Sequence, residues 1–162
     1  MKFVILIKKM IDYFQSDVRR INHSLKVFDF AQIIYEDQSI DKKTKDIISY
    51  TAILHDIGIK QAENKYNSSI GKYQEIEGPS IARKMLSDLK LSEEIINRVC
   101  FIIGNHHSYT KINGIDFQII VEADFLVNIF EDNMNKKAIK NIHDSIFKTD
   151  SAKKLIKTMY LN

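Results

Sequence analysis

Cysteine is almost missing from this 162-residue chain: Cys100 stands alone. A single thiol can close no intramolecular disulfide and cannot supply a thiolate-rich zinc site, so a reducing compartment is the simpler assumption. Proline occurs once and glycine five times, so breakers are scarce and long helices are permitted. No apolar run approaches the length of a membrane span. The run Phe3-Val4-Ile5-Leu6-Ile7 is shorter than a secretory apolar core, and Lys8 and Lys9 follow it with no small-residue cleavage site. A cytoplasmic protein is expected. An excess of one charge is missing too: 24 basic and 21 acidic residues are interspersed, with no arginine-rich arm or basic block. Charge therefore gives no support to nucleic-acid binding.

What is present is ordinary for a soluble globular protein, with 44% apolar and 28% charged residues. At this length one domain can bury a sizeable core unaided. No internal repeat, linker or convincing period-two alternation interrupts the helical patterning, so the expected fold is all-α.

Residues 3–14 place Val4, Ile7, Ile11 and Phe14 at helical spacing, and Ser16 or Asp17 can cap the next helix. Residues 17–37 carry two stripes, Val18, Ile21, Leu25 and Phe28 beside Val27, Phe30 and Ile34, with His23 inward at the head of the second. Asp41 caps a third helix whose inward positions run Ile48, Ala52, His55, with Gly58 as its stop. From Ile59 to Glu77 the pattern dissolves into a polar segment, read as a floppy insert or an active-site lid. Helicity is expected to resume at Gly78-Pro79 with Pro79 at the first helical position, leaving Glu77 at the entrance. Ser92 opens a helix whose two buried stripes end in His106 and His107. After the turn at Asn113-Gly114, residues 116–131 set Asp124 in an apolar stripe with Phe117, Ile120 and Val127. The remainder reads as two amphipathic helices, with Ile139, Ile142 and Ile146, then Leu155, Ile156, Met159 and Tyr160.

His23, His55, Asp56, Glu77, His106, His107 and Asp124 thus arrive inward or at helix ends from five segments. Hydrolytic metal centres need neutral imidazoles and carboxylates projected from rigid elements around a place for water. A single inward histidine is more often a satisfied core residue. Several together would each need partners, and one metal ion satisfies them jointly. Glu77 reads equally well as an acid near a helix N-terminus. His143 reads as supporting structure, and Asp29, Asp88, Asp116 and Asp132 as solvated or capping residues.

On these residues the chain resembles the HD-domain metal-dependent phosphohydrolases, over about residues 22–127. The resemblance implies a single domain over 1–162, an HD core at about 17–131 and flanking helices at 3–14 and 135–161. It implies that His23, His55, Asp56 and Asp124 ligate a first metal. Glu77 and His106-His107 stand where two-metal members place further ligands, with Glu77 replacing an expected imidazole. The family's Ile-Gly-Lys after the doublet is shifted here, to Ile57-Gly58-Ile59-Lys60.

By the same resemblance Asp56 bridges two ions about 3.5–4 Å apart that activate water for in-line attack on phosphorus. Lys60 and Lys72 are the candidate phosphate contacts, Lys60 with a catalytic share; solvated loop charges are the competing reading for both. Mixed imidazole and carboxylate ligation implies one or two divalent transition metal ions, Mn, Fe, Co, Ni or Zn, with Mg possible. The expected partner is a small-molecule phosphoester, a nucleotide or related phosphomonoester, with neither nucleic acid nor membrane, for a monomer or homodimer. Two alternatives stay open: a di-iron oxygenase on the same scaffold, and a non-catalytic regulatory or binding module that keeps the metal.

Overall fold

The computed structural model describes residues 2–162, and those residues form helices and no strand. In chain order they are α1 (Lys2–Phe14), α2 (Val18–Glu36), α3 (Lys42–Leu54), α4 (Ile59–Tyr66), α5 (Gly71–Ser87), α6 (Glu93–Ile103), α7 (Ile115–Glu131), α8 (Lys136–Ser145) and α9 (Asp150–Ile156). Short polar side chains start many of them. Asp17, Asp41, Ser92, Asn135 and Thr149 each accept a backbone N–H three residues on, satisfying a donor that the first turn leaves orphaned.

Helix α7 forms the axis. Phe117, Ile119, Ile120, Val121, Ala123, Leu126, Val127 and Ile129 are all buried, on every side of the helix, because α2, α3 and α9 pack around it. Helix α3 lies between α2, α6 and α7 and is buried without a break from Ile47 to Leu54. Its C-terminus, the C-terminus of α6 and the middle of α7 therefore meet inside the bundle.

The remaining helices close the outside. Helix α1 packs on α3 and α2, but through Leu6, Met10 and Phe14; Val4 and Ile11 face solvent, so the expected stripe is rotated around the helix. Phe3 sets that rotation by packing on Tyr50 and Phe28, at ring separations of 4.8 and 6.2 Å. At the other end Glu122, wholly buried on α7, accepts from Gln118 Nε2, the N–H groups of Lys148 and Thr149, and Thr149 Oγ1 at 2.5–2.9 Å. One carboxylate thereby fastens the start of α9 to the axis. Asp116, expected to be solvated or capping, is buried and held at both oxygens by Arg98, at 2.6 and 2.7 Å.

The largest departure lies at 59–77, where the expected loop is mostly helix. Helix α4 ends at Asn67, whose φ of 50° turns the chain in the left-handed region. Four residues later α5 begins, eight residues before the expected first helical position at Pro79. Tertiary contacts hold this hairpin: Tyr66 stacks on Tyr73 with centroids 4.2 Å apart, and Arg20 of α2 grips Glu63 through both oxygens. Pro79 consequently sits inside α5 instead of at its first position, and Glu77 lies mid-helix. The proline removes one intrahelical hydrogen bond. Packing against α6 compensates, with the Cys100 thiol donating to the Pro79 carbonyl and Gly104 leaving room for the ring. Gly58 has a second use beyond stopping α3. A Cβ there would lie 2.4 Å from the Gln74 carbonyl oxygen and 2.6 Å from the Gly78 nitrogen, so α5 can reach the end of α3 only past a glycine.

Candidate metal centre

Where those helix ends meet, six of the seven expected ligands converge. His23 comes from α2, His55 and Asp56 from the turn after α3, His106 and His107 from the turn after α6, and Asp124 from the buried face of α7. The ring orientation of three histidines follows from their outer nitrogens. Nδ1 of His55 donates to the Ala52 carbonyl, Nδ1 of His106 to the Ile103 carbonyl, both at 2.8 Å, and Nδ1 of His23 to Glu131 Oε2 at 3.0 Å. Each ring thereby turns Nε2 inward, the nitrogen that can bind a metal ion in place of a proton.

The inner atoms fall into two groups. Nε2 of His23 and Nε2 of His55 are 3.1 Å apart, and Oδ2 of Asp56 lies 3.5 and 3.6 Å from them. Oδ1 of Asp124 joins at 3.2 and 3.7 Å. The second group is Asp56, His106 and His107, with Asp56 Oδ1 3.3 Å from His106 Nε2. The two oxygens of Asp56 thus face different groups. Two imidazole lone pairs aimed at one point with two carboxylates beside them repel one another unless a cation lies between, so this donor set fits a divalent metal ion.

The charges agree. Burial would raise the carboxyls of Asp56 and Asp124, yet the neighbouring imidazoles hold both well below the usual range, so they stay ionised. Burial opposes a proton on His55, but Asp56 and Asp124 prevail and push it up to about 9; in the metal-free site a proton stands where a cation belongs. Burial, assisted by His106, pulls His107 down to about 4, leaving that ring neutral near pH 7.

Three expected residues do not join. Glu77 is in neither group: Lys65 Nζ at 2.8 Å and Tyr66 Oη at 2.9 Å both donate to it. The α5 residue that enters the centre is Gln74, one turn earlier, with Oε1 3.4 Å from His107 Nε2. Lys60 donates to the Tyr13 carbonyl at 2.8 Å and lies over that ring, tying α4 to α1. Lys72 is exposed on α5 and does not line the cleft over the centre.

That cleft has a volume of about 420 Å³, and its cations are Arg19 and Arg20 of α2, which the sequence reading passed over. Their signal was available, since Arg20 lies one turn before His23 on the same helix. Glu131 was missed as well; it looks like a solvated acid at a helix end until α2 is placed against it.

The HD domain family model matches residues 20–150. The chain belongs to the HD domain family. The HD fold extends over nearly the whole chain: a crystal structure described as a predicted HD superfamily hydrolase, from an uncultured Thermotogales bacterium, is similar with a TM-score of 0.69 at 20% identity, over 96% of this chain and 83% of that one. No curated protein sequence matches this chain significantly. Among the described residues no helix is long and apolar enough to cross a membrane.

Proposed function

We propose that this HD protein is a metal-dependent phosphohydrolase acting on a small phosphoester. The observation that carries the reading is the division of Asp56, whose oxygens face separate imidazole groups beneath one cleft. His23, His55, Asp56 and Asp124 would hold one divalent ion, and Asp56, His106 and His107 a second. Such ions, when bound, polarise a phosphoryl oxygen and make water a nucleophile at neutral pH. In the overall reaction water forms a new P–O bond, the ester P–O bond breaks, and the alcohol leaves with the proton that water gives up.

The chain's own residues prepare the rest. Arg20 is fixed by Asp17 and Glu63, so its positive charge at the cleft wall is stationary, which suits transition-state stabilisation better than a mobile cation does. Arg19 is free to move at the rim, since its nearest acid, Asp132, is 3.8 Å away. Arg20 takes the phosphate role first assigned to Lys60 and Lys72. The hydrolase description of the Thermotogales protein supports the same reading.

The test is phosphate release by purified protein loaded with Mn, Co, Ni or Fe, screened against phosphomonoesters, nucleotides and cyclic dinucleotides. Turnover that depends on the metal is expected. A protein shown to contain metal and inactive on every ester refutes the proposal, and oxygen consumption by the iron form would point to the oxygenase alternative.

A further inference from the structure

Small-molecule sites are ordinarily lined by apolar and aromatic side chains with a few polar groups. This cleft is built the other way round. Ile59 is the one apolar side chain among the described residues that line it, and the rings that do are the imidazoles of His23 and His107, both in the candidate ligand groups; no Phe or Tyr ring lines it. The nearby rings are paired with each other: Tyr66 stacks on Tyr73, and Tyr109 packs on Phe125.

Outside the ligand set, the walls carry three carboxylates, Asp17, Glu131 and Asp132. Asp17 is engaged by Arg20, and Glu131 by His23 and Lys26. Asp132 is half exposed and has only the long contact to Arg19. Ser69, in the connection between α4 and α5, also lines the cleft.

Each feature selects against a ligand class. Stacking on Phe, Tyr or Trp rings is a principal source of affinity for a nucleobase, and a base entering here would find only the two imidazoles of the ligand groups and charged walls whose water it would strip. A second phosphate would stand beside Asp132, the wall carboxylate whose charge is least compensated, where like charge disfavours it. A hydroxylated carbon chain has no such conflict, because every hydroxyl can both donate to a carboxylate and accept from a guanidinium.

We infer that the substrate is the monophosphate of a small polyol or sugar, with the phosphate over Asp56 and His107 and the hydroxyls directed to Asp132, Ser69 and Arg19. The inference rests on the phosphohydrolase reading above.

The metal-loaded full chain is assayed on three- to six-carbon polyol and sugar monophosphates, nucleoside 5′-monophosphates and sugar bisphosphates. The expected kcat/KM is at least about 10-fold higher for the best polyol monophosphate, the scale of discrimination given by a few satisfied or unsatisfied hydroxyl bonds. Calorimetry with non-hydrolysable phosphonates of the two classes should give the same order of affinities without turnover. In Asp132→Ala, KM for the polyol ester should rise by about 5-fold or more with kcat little changed, the pattern of lost uniform binding. Phosphate release that is equal or faster from nucleotides or bisphosphates overturns this inference and leaves the phosphohydrolase reading standing. No release from any ester overturns both.

Discussion

Removing the carboxylate of Glu131 should weaken metal binding without touching a ligand. Its Oε2 accepts from His23 Nδ1 at 3.0 Å, its Oε1 pairs with Lys26 at 2.5 Å, and its side chain is 12% exposed. Burial opposes ionisation of Glu131, but Lys26 and His23 prevail and keep its carboxyl below the usual range, so it presents a full negative charge to the ring. That charge fixes the His23 tautomer and makes Nε2 a better donor, whereas His55 and His106 lean on neutral main-chain carbonyls. Losing such an outer partner costs about 10–100-fold in metal affinity, roughly 1.4–2.8 kcal/mol. Glu131→Gln keeps a neutral acceptor and should fall near the lower end, about 10-fold, while Glu131→Ala should approach about 100-fold. Lys26 adds little to the loss because its head is half exposed and water can replace its partner. Metal-free proteins are titrated with Mn or Zn against a chromophoric chelator. Wild-type affinity in both variants, alongside a large loss in His23→Ala, would refute the reasoning.

Metal content separates the two ligand groups: Asp56→Ala should lose all bound metal, being shared by both, while His106→Ala should keep one ion per chain, as read by elemental analysis of protein purified in excess metal. Gly58→Ala must push α5 away from the end of α3, and because the new methyl meets α5 backbone and no flexible side chain the cost should reach about 3 kcal/mol, seen as a lower denaturant midpoint. Glu77 supplies a pH test. Lys65 first, then Tyr66, hold its carboxyl below its ordinary 4.5, so its contribution is complete above that pH and is lost as pH falls through the lower folded value. The Tm difference between wild type and Glu77→Gln should therefore shrink on acidification from pH 6 to about pH 3; a constant difference would show that the charge is not what Glu77 contributes.

Local chemistry made much of the fold legible. Asp17, Asp41 and Ser92 act as caps through contacts within one turn, so their effect is written in neighbouring residues. Segment 59–77 is the opposite case. Its helices are held by Arg20 on Glu63, Tyr66 on Tyr73 and the close pass of Gly58 by α5, and each of those depends on a partner brought in by the fold. The proline rule failed for a related reason: it describes an isolated helix, while α6 supplies the contacts that let Pro79 sit inside α5. Reading Pro79 as a start displaced the helix, and that displacement put Glu77 forward at the level where Gln74 lies beside His107.

The buried acids of α7 show what separates a candidate ligand from a strut. Asp116 has Arg98 on both oxygens, and Glu122 has four donors from the chain around it. Each is complete, and an added cation would have to displace a bond already made. Asp124 lies on the same helix and is about as buried, but only Asn128 donates to it from its own helix, and its other neighbours are the inward nitrogens of His23 and His55. The positive charge that Asp124 meets there has to come from a metal ion or from a proton held on those imidazoles. Sequence periodicity brought Asp124 inward and left Asp116 outside by a false assignment, yet burial alone would have ranked all three acids alike. The distinction is an unmet demand for positive charge, and it becomes visible only when the partners from α2, α3 and α6 are in place.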